Sequence, residues 1–157
     1  MNIGLLIYGS LATLSGGYLY DRKLVEYLRA QGERVEIISL PWRNYAAHLS
    51  DNLSFRLPAG LDLLIQDELN HPSLLAANAR PHPYPLISLV HHLRSSEQHP
   101  ALLKWLYRLV ETRYLRSVDG FIFNSQTTSE VVIRLAGTQT PGLIAYPPTD
   151  RFGSAIA

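Results

Sequence analysis

Apolar residues fall in short runs separated by amphipathic stretches. The first run, Asn2 to Tyr8, is almost wholly apolar, as in a strand buried on both faces. Tyr18 to Gln31 then places Leu24, Val25 and Leu28 on one side of a helical period, with Asp21, Arg22, Glu26 and Arg29 elsewhere. Gly32 stops that helix, and Arg34 to Leu40 is a second apolar strand ending at Pro41. Strand, loop, helix, strand is a βαβ unit, whose crossover is expected to be right-handed.

The alternation continues. Trp42 to Pro58 predicts a short helix with Tyr45, Leu49, Leu53 and Phe55 inside and Arg43, His48 and Asp51 outside. Leu61 to Gln66 is a third strand, and Pro72 to Asn78 a short helix with Pro72 in its first turn. Pro85 to Val90 is a fourth strand. Pro100 to Ser117 is the longest helix, with Leu102, Leu103, Leu106, Leu109 and Val110 as its expected buried side. Val118 to Phe123 is a fifth strand, and Ser125 caps a helix from Gln126 to Ala136. Leu143 to Tyr146 is a short sixth strand. Strands alternating with helices in this way predict an α/β sandwich with a mostly parallel sheet.

Composition narrows the class. A chain of 157 residues is expected to form one domain with a real core. A net charge of +1 offers nothing to a nucleic acid, and the absence of cysteine removes disulfides and thiolate metal sites. The first residues lack a basic segment and a cleavage site, so a buried strand is expected there and not a signal peptide. No apolar run is long enough for a membrane span, and a cytoplasmic protein is the expectation.

The candidate chemistry lies where strands end. The loop from Gly9 to Gly17 precedes a helix N-terminus, where backbone N–H groups and the helix dipole favour an anion. Its glycines, Gly9, Gly16 and Gly17, depart from G-x-G-x-x-G, and no acidic residue closes the second strand, which disfavours a dinucleotide. A turn that binds nothing also fits this loop. Asp67-Glu68, His91-His92, Glu97 and Asn124-Ser125 with Thr127-Thr128 follow later strands. All converge on one edge if the sheet is parallel. Alternation sends His91 and His92 to opposite faces, one to the cleft and one to the packing layer. That separation argues against a joint metal site, and none is expected. The long helix carries Lys104, Arg108, Arg113 and Arg116 around Trp105. A solvated outer face is the first reading of it, and contact with anionic lipid the second.

Four segments spread along the chain from Ser15 to Phe152 resemble the N-terminal domain of GT-B glycosyltransferases of family 4, also called group 1. SGGYLYDRKLVEYLRAQGERVEIISLP is similar to the opening βαβ unit of that family, with its Gly-Gly pair before the first helix. LISLVHHLRSSE resembles its strand-then-histidine segment, and ETRYLRSVDGFIFNSQTTSEVV its helix, strand and Asn-Ser-x-x-Thr passage. IAYPPTDRF resembles the crossing into a second domain.

The resemblance implies a Rossmann-like three-layer sandwich over residues 1–148, the acceptor side of a two-domain transferase, with 149–157 beginning the crossing. It implies a sugar acceptor as partner and a nucleotide-sugar donor as co-substrate, with no other cofactor. By it, Gly16 and Gly17 contact the donor diphosphate, and His91 is the catalytic residue near the transferred sugar. Ser125 and Thr128 match the motif after the fifth strand and join Glu97 on the acceptor side of the cleft. The family's donor-binding domain and its paired glutamates have no counterpart here, and Thr149 stands where a glycine is common. The chain by itself is therefore expected to be inactive, with an uncovered rim that favours self-association. The alternative is a non-catalytic binding or partner subunit of a split transferase.

Overall fold

A computed structural model describes residues 1–147; the expected crossing at 149–157 lies outside the described residues. Strands β1 (Asn2–Tyr8), β2 (Arg34–Leu40), β3 (Leu63–Asp67), β4 (Leu86–Val90), β5 (Gly120–Phe123) and β6 (Gly142–Ile144) form one sheet. Its order is β2-β1-β3-β4-β5-β6, and every neighbouring pair is parallel. Helices α1 (Gly16–Ala30), α2 (Tyr45–Ser50), α3 (His71–Asn78), α4 (Ala101–Leu115) and α5 (Gln126–Ala136) connect the strands. This is the α/β sandwich with a parallel sheet that the pattern predicts, in the Rossmann-like three-layer form that the resemblance implies.

The central strands are buried on both faces, which explains their unbroken apolar runs. Ile3, Leu5 and Ile7 of β1, with Ile65 and Leu89, pack against Tyr18, Tyr20 and Val25 of α1. Leu6, Leu64, Leu86 and Val90 face the other layer, with Leu74 of α3, Tyr114 of α4 and Val132 of α5. Gly4 is required by a close approach: a Cβ there would lie 2.6 Å from Leu61 Cδ1. The strand order reverses between β1 and β3, so a crevice opens at their carboxyl ends.

Two helix faces differ from expectation. In α2 and the 3-10 turn that follows it, Asp51–Leu53, His48 and Asp51 are buried, while Leu53 is 83 % exposed. The His48 ring stacks on Tyr8 at 3.8 Å, and Asp51 accepts from Ser73 Oγ at 2.7 Å and pairs with Arg43. Aromatic stacking and a satisfied carboxylate outweigh the simple polarity of these residues.

In α4 the inner face is Tyr107, Val110, Glu111, Tyr114 and Leu115. Leu102, Leu103 and Leu109, expected inside, are exposed. The inward polar atoms have partners: Tyr114 Oη donates to Ser88 Oγ at 3.0 Å, and Glu111 accepts from Ser95 N at 3.1 Å. Tyrosine and glutamate therefore take the core side, which an apolar count assigns to leucine.

Candidate functional site

Parity along the strands builds the site. Ile87, Leu89 and His91 alternate toward the α1 layer, as do Leu63, Ile65 and Asp67 of β3. Because the strands are parallel, their carboxyl ends deliver His91 and Asp67 to one edge beside the start of α1. Ser15 caps that helix, its Oγ accepting from Tyr18 N at 3.2 Å. Tyr18 Oη donates to the Tyr8 carbonyl at 2.5 Å and ties α1 to the end of β1.

His91 is held on three sides. Its Nε2 lies 2.9 Å from Asp21 Oδ1. Its backbone N–H donates to Glu68 Oε2 at 2.9 Å, and its carbonyl accepts from Asn124 Nδ2 at 3.0 Å. Gly17 lies flat against the ring, so that a Cβ there would sit 3.5 Å from His91 Cδ2. Among the described residues Nδ1 has no hydrogen-bond partner.

Two cavities of about 290 Å³ each flank this ring. The first is lined by Gly16, Gly17, Tyr20, Lys23, His91 and Asn124. The second includes Tyr8, Trp42, Tyr45, His48, Arg94 and Glu97, and it too is bounded by Gly17 and His91. His91 and Gly17 thus form a wall common to both.

The expected residues are placed as follows. Gly16, Gly17 and His91 meet. Glu97 lies on the second cavity, 3.3 Å from His99 Nε2 and 3.8 Å from His92 Nε2. Ser125 and Thr128 stand behind the wall: Ser125 caps α5, and Thr128 Oγ1 donates to Asn124 Oδ1 at 2.8 Å. They hold the residue that holds His91. His92 requires a correction. Its side chain is 59 % exposed and does not enter the packing layer, because the strand ends at Val90 and the chain turns outward.

Asp21 is the residue that sequence reasoning missed. It lies at i, i+3, i+4 and i+7 spacing with Leu24, Val25 and Leu28, so the helical period already put it on the inner face. It is fully buried. Trp42, Tyr45 and His48 were legible as residues but not as a cavity wall.

The electrostatics follow from burial. Burial opposes the His91 cation, but the hydrogen bond to Asp21 and the charges of Asp21 and Asp67 outweigh it and raise its pKa. The ring is thereby favoured as a donor, where a neutral imidazole would be expected from the residue alone. Burial and the Asp21 charge push Asp67 up to about 7, and burial with the Asp67 charge pushes Glu68 up as well. Asp21, Asp67 and His91 bring one ligand-type atom each within 4.8 Å of one another, a spacing compatible with a cation. The His91 proton and a proton held on the Asp67–Glu68 pair supply the same neutralisation.

Stability should therefore depend on pH through two opposed sets of buried groups. Asp67, raised to about 7, contributes in full below about pH 4 and loses that contribution progressively up to about pH 7, while His91, also raised, contributes in full below about pH 6.5 and loses it as pH rises further. His71 is lowered to about 4 by burial and His48 is lowered too, so their contribution is lost as pH falls below about 6.5. Thermal unfolding across pH should show both limbs. Asp67→Asn should remove the fall in stability that Asp67 imposes between about pH 4 and 7. An unchanged profile in that variant would refute the assignment.

No protein-family model matches the chain, and no curated protein matches it.

Proposed function

We propose that the chain is the acceptor-binding half of a glycosyltransferase that moves a sugar from a nucleotide-sugar donor to an acceptor hydroxyl. The observation that carries this reading is the wall that His91 and Gly17 make between two cavities at the carboxyl edge of the sheet. A transfer needs two substrates to meet at one reacting carbon, and this wall stands where they would meet.

The cavities differ in chemistry. The first lies at the α1 N-terminus, where the N–H groups of Gly16 and Gly17 have no partner among the described residues. Those groups and the helix dipole suit a diphosphate. The second offers aromatic surfaces at Tyr8, Trp42 and Tyr45 beside Arg94 and Glu97, which suits the apolar face and hydroxyls of a sugar acceptor.

In the transfer, the bond from the anomeric carbon to the diphosphate oxygen breaks and the acceptor oxygen bonds to that carbon. The proton of the acceptor hydroxyl passes to the departing diphosphate oxygen. The N–H groups of Gly16 and Gly17 meet the charge growing on the diphosphate. His91 Nδ1–H donates to an oxygen of the sugar in transit, with Asp21 fixing the ring and its protonation. On this reading the protein works in the cytoplasm, where nucleotide-sugar donors are made. A donor-binding partner domain completes the site.

Binding tests the reading. Calorimetry of the 157-residue chain with UDP- and GDP-sugars should show weak binding or none. Simple glycosides, followed by amide shifts, should perturb Gly17, Trp42 and His91. Tight nucleotide-sugar binding by this chain, or glycoside shifts confined to residues away from both cavities, would overturn it.

A further inference from the structure

The outer face of α4 is apolar where solvent contact is expected. Leu102, Trp105 and Leu109 are 75 %, 61 % and 53 % exposed. They lie at i, i+3 and i+7, and half-buried Leu106 fills i+4, so they form one stripe opposite the core face. The charges flanking this stripe have one sign. Arg108 borders it, Arg113 continues it at i+4 from Leu109, and Lys104 lies beyond Arg108 on the side of α5, while Glu111, the acidic residue of α4, is turned inward and is 1 % exposed. Beside the stripe, a cavity of about 360 Å³ brings Arg134 of α5 to Lys104 and Arg108, with Ser95 and Ser96 on its wall and no carboxylate lining it among the described residues.

We propose that this face docks on an anionic membrane surface. Leu102, Trp105 and Leu109 enter the boundary between headgroups and acyl chains, and the Lys104–Arg108–Arg134 cavity receives a lipid phosphate. The arrangement is that of an interfacial helix: an apolar stripe carrying tryptophan, with cations along its margin. Anionic leaflets attract such cations at short range. No described helix is long and apolar enough to cross a membrane, so α4 lies on the surface. A second copy docked on the same stripe would set Lys104 and Arg108 near their own counterparts, which disfavours self-association there. This surface is independent of the transfer reading.

The test is co-sedimentation of the whole chain with vesicles of phosphatidylcholine, with and without phosphatidylglycerol. A Trp42→Phe background isolates Trp105, whose fluorescence should shift to the blue only with the anionic vesicles. Leu102→Ser with Leu109→Ser, and separately Lys104→Glu with Arg108→Glu, should each lower binding by on the order of tenfold or more. Circular dichroism and thermal unfolding should match the parent, because these side chains point away from the core. Four results would overturn the proposal: no binding to anionic vesicles, equal binding to neutral ones, binding unaffected by both pairs of substitutions, or a dimer that the leucine substitutions disperse in a chain that ignores vesicles.

Discussion

Replacing His91 by alanine is expected to lower sugar transfer on the order of 10²-fold or more while leaving the fold intact. The ring sits beyond the end of β4, and its removal uncovers a cavity wall more than it empties the core. The assay needs the chain joined to, or mixed with, a donor-binding domain and a working acceptor. Asp21→Asn is the informative companion. Asparagine keeps the shape and a hydrogen bond to Nε2 but removes the charge that raises the His91 pKa. Activity should then fall at a lower pH than in the parent, with a smaller change in acceptor KM. A packing role alone would lower stability without moving the pH profile. His92→Ala should be nearly silent, given its exposure. Full activity of His91→Ala would refute the assigned role.

Tyr114→Ala should destabilise the domain by about 3–5 kcal/mol. Tyr114 is 1 % exposed and is among the largest fully buried side chains. It packs against Leu6, Leu74 and Val90 and ends in a hydrogen bond to Ser88 on β4. Its loss leaves a cavity at the α4–sheet junction and an unpaired Ser88 hydroxyl. That is a large share of a typical domain's stability of about 5–15 kcal/mol, so the alanine variant should lie at the edge of folding. Tyr114→Phe keeps the ring and should cost about 1 kcal/mol, readable in urea even if the alanine variant does not fold. Equal midpoints for parent and Tyr114→Phe would show that the Ser88 bond contributes nothing.

The strand register at the site was legible because strand parity is local. Apolar runs ending in polar residues located β1, β3, β4 and β5, and alternation put His91 on the α1 side, whereas His92 lies past the end of β4, where alternation no longer holds. Ser125 as the α5 cap was legible for the same reason: an N-cap is decided within four residues. Asp21 shows a signal that was present but outweighed. Its spacing put it on the inner face of α1, yet a carboxylate is seldom buried without a partner, and the partner lies on β4.

The sequence by itself determined the α/β class, the order of the elements and the edge on which polar residues gather, since these follow from periodicity and short-range capping. Tertiary structure alone decided which side of α2 and α4 is inward. Burial there depends on partners distant in the chain, Tyr8 for His48, Ser88 for Tyr114 and Ser95 for Glu111. Those partners let polar side chains take core positions and left Leu102, Trp105 and Leu109 outside. Only the folded chain could also set two cavities on either side of His91, because their walls come from β1, α1, α2 and the segments after β3 and β4, which no local pattern joins.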